Sequence, residues 1–362
     1  MAETPCDDWR VTRRPVTGSV AVFALLVGGG CTDVMPATQP HWSLVLHGGA
    51  GTIERAELTP EIEARYRNAL GEAAKRGGAI LAGGGSALDA VTATVAYLED
   101  NELFNAGRGA VFTAEGRNEL DASIMDGRTR AAGAVAGLTH TRNPIRAARA
   151  VMEKSPHVML VGAGADAFAG SQGLEQVDPV YFFTEGRWQQ LEEFLQRQNL
   201  PLPPRPSGAP TGEQARAARA PDDHTFGTVG AVAFDQDGNL AAATSTGGTT
   251  GKRWGRVGDS PIIGAGTYAQ NGVCGVSATG TGEFFIRAGV ARAICARMEL
   301  TGEGAAQAAT ALIAEVGALG GDGGVIVLDR RGRHTFAMNT SGMYRAYLAD
   351  GGEPLIGIYA DE

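Results

Sequence analysis

One junction constrains this chain more than any other. At Asp222-Asp223-His224-Thr225-Phe226-Gly227-Thr228 a polar, Pro- and Ala-rich segment ends and the apolar run 228–234 begins. No bulky group flanks the peptide bond between Gly227 and Thr228. A threonine hydroxyl is a poor nucleophile without a base beside it. A cut between Gly227 and Thr228 supplies one, because the freed α-amine, with a pKa of about 7.7–8.0, sits on the same residue. An isolated Gly-Thr before a strand is ordinarily a turn, so its meaning depends on the surrounding sequence.

Upstream, Arg10, Arg13 and Arg14 precede an apolar stretch over 16–27 and then Gly28-Gly29-Gly30-Cys31. A basic region, an apolar region and small residues before a cysteine have the form of a bacterial lipoprotein signal. Residues 1–30 therefore read as a signal peptide and 31–40 as a linker, with Cys31 as the lipid acceptor and the only tie to a membrane. This predicts an exported, periplasmic or lipid-anchored protein; without a working signal the chain stays cytoplasmic. The four cysteines lack metal-ligand spacing, and Cys274 and Cys295 read as buried thiols.

Residues 43–46 read as a buried strand entering His47-Gly48-Gly49-Ala50-Gly51. His47 is a candidate site residue whose commoner role would be a hydrogen-bonded structural group. Thr59-Pro60-Glu61 starts a helix that Gly77-Gly78 is expected to end, and Ser86 caps a second, apolar helix to about Glu99. Leu103–Phe112 reads as a turn into a strand, 119–127 and 133–138 as further strands, 144–154 as a helix and 157–161 as a strand. A polar helix over 188–198 leads into Pro201–Ala220, whose five prolines and lack of apolar periodicity suggest a mobile linker over about 200–227. Beyond Thr228, paired runs at 228–234 and 239–245, 262–268 and 273–279, and 322–328 and 334–338 read as hairpins. Helices over 282–300 and 303–318 lie between them.

The 53 glycines far exceed the usual share of about 7% but follow no fixed period, which excludes collagen and points to turns and close backbone approach. The net charge of −9, with no basic stripe, argues against nucleic acid. No GK[ST] or strand-following GxGxxG supports a nucleotide site.

Three threonines fall at strand ends: Thr228, Thr246 in Thr244-Ser245-Thr246-Gly247-Gly248, and Thr279 in Ala278-Thr279-Gly280-Thr281-Gly282-Glu283. Between the last two lies Gly255-Arg256-Val257-Gly258-Asp259-Ser260-Pro261. With LVLHGGAG, GGSALDAV, LFNAGRGAVF and ELDASIMDG in the first half, these blocks resemble the plant-type asparaginases, or isoaspartyl peptidases. These are N-terminal-nucleophile hydrolases, and the resemblance covers roughly 43–348.

The resemblance implies an α+β fold, a four-layer αββα sandwich. It implies self-cleavage at Gly227–Thr228 into an α subunit (41–227) and a β subunit (228–362), paired as (αβ)2. The substrates would be L-asparagine and isoaspartyl dipeptides, with no organic cofactor. Arg256 would grip the α-carboxylate and Asp259 the α-ammonium. The Thr279 hydroxyl and Gly280 N–H would receive the oxyanion, Gly282 would lie close to the substrate, and Thr246 would orient Thr228. Asn105 would hold the junction or the substrate. The family's structural sodium would sit on the backbone carbonyls of Leu98, Glu99, Asn101, Phe104, Ala106 and Arg108. A glycosylasparaginase would share the nucleophile, arginine and aspartate. An uncleaved amino-acid-binding lipoprotein would need Arg256 and Asp259 but no processing.

Overall fold

The computed structural model describes residues 40–56, 58–210 and 227–362. The expected signal segment, Cys31 and residues 211–226 lie outside them. Strands β1 (Ser43–Gly51), β2 (Leu120–Asp126), β3 (Ala132–Leu138) and β4 (Met159–Val161) precede the junction. After it come β5 (Val229–Phe234), β6 (Leu240–Thr246), β7 (Thr267–Gln270), β8 (Cys274–Gly280), β9 (Gly323–Asp329), β10 (His334–Met338), β11 (Gly342–Ala349) and β12 (Leu355–Tyr359). One sheet has the order β12-β11-β1-β5-β6-β2-β3-β4; the other is β10-β9-β8-β7. All pairs are antiparallel except β3 with β4.

The helices are α1 (Pro60–Ala82), α2 (Ala87–Glu99), α3 (Pro144–Lys154), α4 (Gly162–Ser171), α5 (Glu185–Arg197), α6 (Gly282–Ala288), α7 (Val290–Thr301) and α8 (Ala305–Ala318). Helices α1, α2 and α3 pack on the eight-stranded sheet, while α7 and α8 pack on the four-stranded one. The sheets face each other, giving the expected four layers.

Strand alternation decides which residues meet between the sheets. In β1, Leu44 and Leu46 join the helix-side core and Val45 the core on the other face. In β5, Val229, Ala231 and Ala233 face the helices, whereas Val232 and Phe234 face the second sheet. Burying each larger apolar side chain contributes about 1.5–3 kcal/mol. The same alternation turns His47, Thr228, Thr244 and Thr246 toward the second sheet, where Ser277 of β8 meets His47 and Thr244, and Thr279 lines one cleft with Thr228 and Thr246. Polar residues thus enter a buried interface because the strand period carries them there.

Several expectations are corrected. Helix α1 continues through Gly77 and Gly78 to Ala82. A side chain at Gly77 would strike Thr94 and Leu44, and one at Gly78 would strike Leu348, so this pair permits close packing rather than stopping the helix. The stretch expected as a strand after Leu103 contains a short 3-10 turn, Gly107–Gly109. The helix expected over 282–300 divides at Gly289, whose φ is 57°. Helix α4 and strands β11 and β12 were not foreseen. Cys274 and Cys295 form a disulfide with Cα atoms 5.7 Å apart, not two buried thiols.

Helix α5 is amphipathic. Trp188, Leu191 and Leu195 pack with Phe112 and Phe183 in a small core of their own. Arg205, just beyond this helix, makes a bidentate pair with Glu185. No helix among the described residues is long and apolar enough to cross a membrane.

Candidate active site

Thr228 immediately precedes β5 and is 8% exposed. Its hydroxyl donates to Thr246 Oγ1 at 3.1 Å, and the Gly248 N–H also donates to Thr246 Oγ1, at 3.0 Å. The β5–β6 register, with Val229 opposite Ser245, places the two threonines side by side. Two groups close in on Gly227. A Cβ on Gly49, whose φ is 115°, would fall on the Gly227 Cα, and Asn105 lies on the other side. Asn105 Nδ2 donates to the Gly248 carbonyl at 2.7 Å, and its Oδ1 accepts the Val111 N–H at 3.0 Å. Its amide thus frames the junction by tying two loops together.

The Thr228 carbonyl accepts a hydrogen bond from His47 Nδ1 at 2.9 Å, and His47 Nε2 meets Ser277 Oγ at 2.9 Å. Burial pushes the His47 pKa down to about 3, so the ring is neutral near pH 7. A carbonyl only accepts, so Nδ1 carries the proton and Nε2 accepts from Ser277. The series continues from Ser277 to Thr244 at 2.7 Å, Thr267 at 2.5 Å and Ser123 at 2.8 Å. All these side chains are fully buried. His47 therefore takes the structural role: it holds the Thr228 carbonyl and makes no hydrogen bond to the Thr228 hydroxyl.

Arg256 donates from Nε and Nη2 to the two oxygens of Glu283, both at 2.9 Å. This grip leaves the Nη1 end of the guanidinium available as a donor edge. The sequence blocks contained Glu283, but no role was assigned to it; a carboxylate next to a glycine that approaches Arg256 was the available signal. Asp259 is 3% exposed, and its Oδ2 has no hydrogen-bond partner. Burial pushes its pKa up to about 7, opposed in part by Arg256. A cation is the natural complement to that orphaned oxygen. Gly282 is needed here, because a Cβ would come within 2.8 Å of Asp259 Oδ1.

Thr279 Oγ1 accepts the Ala50 N–H at 3.2 Å, which leaves its own proton to donate. Gly280 follows at φ 153°, crowded by Asp322 and Phe285. Gly227, Thr228, Thr246, Arg256, Asp259, Thr279 and Gly280 all line one cleft. Asn105 lies against Gly227, and Gly282 against Asp259 and Arg256. The cleft holds only about 10 Å³, and Gly227 is among the residues that wall it. Larger cavities lie elsewhere, one of about 450 Å³ beside Met298 and Arg333, but none of these threonines lines it.

In the loop expected to hold sodium, the carbonyls of Asn101, Phe104 and Ala106 each accept one N–H, leaving a second lone pair on each, while the Leu98 carbonyl faces the N–H groups of both Asp100 and Asn101. Gly107, at φ 53°, folds the loop onto the Glu99 carbonyl. Among the described residues no group of three or more His, Cys, Asp or Glu is placed to hold a metal ion, so a cation there would depend on carbonyls. The Glu99 side chain has a separate role. It is buried, with its pKa pushed up to about 8 by desolvation, and it accepts from Ser245 Oγ at 2.7 Å and Ile145 N at 2.9 Å. It braces the end of β6 beside Thr246, a contact that sequence reading missed.

Two facing sheets between helical layers, with a threonine at a strand start pointing between them, define an N-terminal-nucleophile hydrolase fold. Residues 40–358 match the model of the asparaginase family, and the chain belongs to that family. It is 50% identical over 320 residues to the isoaspartyl peptidase of Escherichia coli, covering 88% of this chain and 96% of that relative. It is 42% identical over 325 residues to a plant-type L-asparaginase of Pyrococcus abyssi, covering 87% and 99%. Against the isoaspartyl peptidase/L-asparaginase of Xenopus laevis the identity is 40% over 320 residues, covering 88% and 96%.

Proposed function

We propose that the chain cleaves itself at Gly227–Thr228 and then hydrolyses β-aspartyl dipeptides and L-asparagine. The observation that carries this reading is the Thr228–Thr246 hydroxyl pair sharing one cleft with Arg256 and with the unpartnered carboxylate oxygen of Asp259. In processing, Thr228 Oγ attacks the Gly227 carbonyl carbon and the C–N bond breaks. The hydroxyl proton passes to the Thr228 nitrogen, and water then hydrolyses the ester. Gly227 leaves as a carboxylate and Thr228 keeps a free amine.

In turnover that amine takes the Thr228 hydroxyl proton, and Oγ attacks the substrate's β-carbonyl. Thr279 Oγ1–H and the Gly280 N–H receive the oxyanion. Arg256, steadied by Glu283, binds the α-carboxylate, and Asp259 binds the α-ammonium. The leaving nitrogen takes the proton back from the Thr228 amine. Ammonia or an amino acid departs, and water activated by the same amine releases aspartate.

Further readings accompany this one. Export is supported by the disulfide, which suits an oxidising compartment; lipidation of Cys31 goes with it. Pairing as (αβ)2 is supported by exposed Val158, Met159 and Val161 at the edge strand β4. Sodium on the Leu98–Arg108 carbonyls is supported by the tight fold of that loop, and it predicts a higher Tm in sodium chloride than in choline chloride.

Intact-mass spectrometry tests the central proposal. A fragment running from Thr228 to Glu362 is expected. A single full-length chain after long incubation would favour the amino-acid-binding reading instead.

A further inference from the structure

Large apolar residues exposed at strained positions are unusual, and this molecule has one beside its cleft. Arg253–Arg256 form a turn closed by the Arg256 N–H to the Arg253 carbonyl at 3.0 Å. Both central residues have positive φ, 56° at Trp254 and 68° at Gly255, as in a type I′ turn. Glycine, asparagine and aspartate suit such positions; a bulky aromatic is a genuine outlier. The other non-glycine residues with positive φ among those described are Arg130 and Asn199, both polar. Trp254 is also 93% exposed, so neither core packing nor backbone preference accounts for it. Such an outlier warrants a functional explanation.

Thr249 before the turn, and Arg256 and Gly258 at and after it, line the cleft. The base of the loop is anchored by buried Lys252, whose Nζ donates to the Glu119 carbonyl at 2.8 Å. Its carbonyl accepts the Ala114 N–H at 3.0 Å. The Trp254 Cα lies within about 7 Å of the Arg256 Cα, the reach of two residues. The Arg253 guanidinium stands 5.5 Å from the Trp254 ring. The turn between two cleft-lining residues, Thr249 and Arg256, thus carries a cation and a flat apolar face side by side.

Arg256, Asp259 and Thr228 account for the aspartyl half of a substrate, so the group beyond the scissile bond must extend toward the rim. In a β-aspartyl dipeptide that group is an amino acid with a free carboxylate and a side chain. We propose that Arg253 and Trp254 form a leaving-group subsite that favours β-aspartyl dipeptides ending in an aromatic or bulky apolar residue. Arg253 meets the carboxylate and the indole stacks on the side chain. The ammonia released from asparagine is too small to use either. This inference rests on the reading of Thr228 given above.

The test uses the processed enzyme with β-aspartyl-phenylalanine, β-aspartyl-glycine and asparagine. Trp254→Asn retains a residue that tolerates positive φ and removes the ring. The expected result is a fall of about tenfold in the phenylalanine-to-glycine ratio of kcat/KM, carried mainly by KM. Arg253→Gln is expected to lower both dipeptides relative to asparagine and to leave their mutual ratio unchanged. An unchanged phenylalanine-to-glycine ratio in Trp254→Asn overturns the proposal. So does an equal loss on all three substrates. A shift from dimer to monomer in light scattering with the ratio intact also overturns it and assigns Trp254 to a contact between copies. If the processed wild type turns over none of the three, the reading of the site fails and this subsite fails with it; intact asparagine hydrolysis with an unchanged ratio is the failure of the subsite alone.

Discussion

The space between the two sheets has two ends of opposite character. At one, Val45, Met125, Val232, Phe234 and Leu240 form an apolar seam. At the other, Ser123, Thr267, Thr244, Ser277 and His47 form a hydrogen-bonded series ending on the Thr228 carbonyl. The apolar end resists separation but is indifferent to small slides, because the hydrophobic effect is non-directional. The polar end contributes less net free energy per group but demands specific distances and a single imidazole tautomer. The fold joins an adhesive half to an orienting half, and Thr228 belongs to the second.

Mutations can break or sharpen this contrast. The largest effect is expected from Thr228→Ala, which should leave one uncut chain and no turnover by gel and activity assay. Asp259→Asn in processed enzyme should lower kcat/KM about 10²–10³-fold through loss of the ammonium's partner. The same change should stabilise the substrate-free protein. Burial raises the Asp259 pKa from its ordinary 3.8 to about 7, so ionisation progressively opposes folding as pH rises through that window. The Tm gain of Asp259→Asn should grow between pH 4 and 7 and level off above.

At the apolar end, Phe234→Ala should cost about 3–5 kcal/mol in urea unfolding while leaving the kcat of folded, processed protein nearly unaltered. At the polar end, Ser277→Ala should cost only about 1–3 kcal/mol, because it strands the His47 Nε2 acceptor. Yet it should slow self-cleavage more than Phe234→Ala does. If the two variants slow cleavage equally, the division between adhesive and orienting ends is wrong. The smallest effect is expected from pH alone. Between pH 6 and 8, kcat/KM should rise as Asp259 ionises and the Thr228 amine loses its proton; a flat profile would remove both groups from the limiting step.

The legible parts of the sequence were those governed by local rules. Hairpins at 228–245 and 322–338 follow from alternation and turn residues, and Ser86 caps α2 as its spacing implied, accepting from Asp89 N. The cleft residues were legible because the blocks around Thr228, Thr246, Arg256 and Thr279 each carry distinctive chemistry. What was not legible depends on distant partners. Gly77 and Gly78 look like a stop until Leu44, Thr94 and Leu348 are placed against them. Glu283 looks like an exposed acid until Arg256 arrives. Ser277 and Thr244 are ordinary strand hydroxyls until the packing of the two sheets joins them to His47 and, through it, to the Thr228 carbonyl.

Gly227 lines the cleft, against Gly49 and Asn105, and as long as it is joined to Thr228 the nitrogen there is an amide and not an amine. Under the proposed processing, the newly folded molecule counts as protein but not as enzyme. Specific activity then becomes a clock. A fresh preparation should gain activity with time at constant concentration, and two batches of different age should disagree in rate per milligram while agreeing in rate per free Thr228 amine.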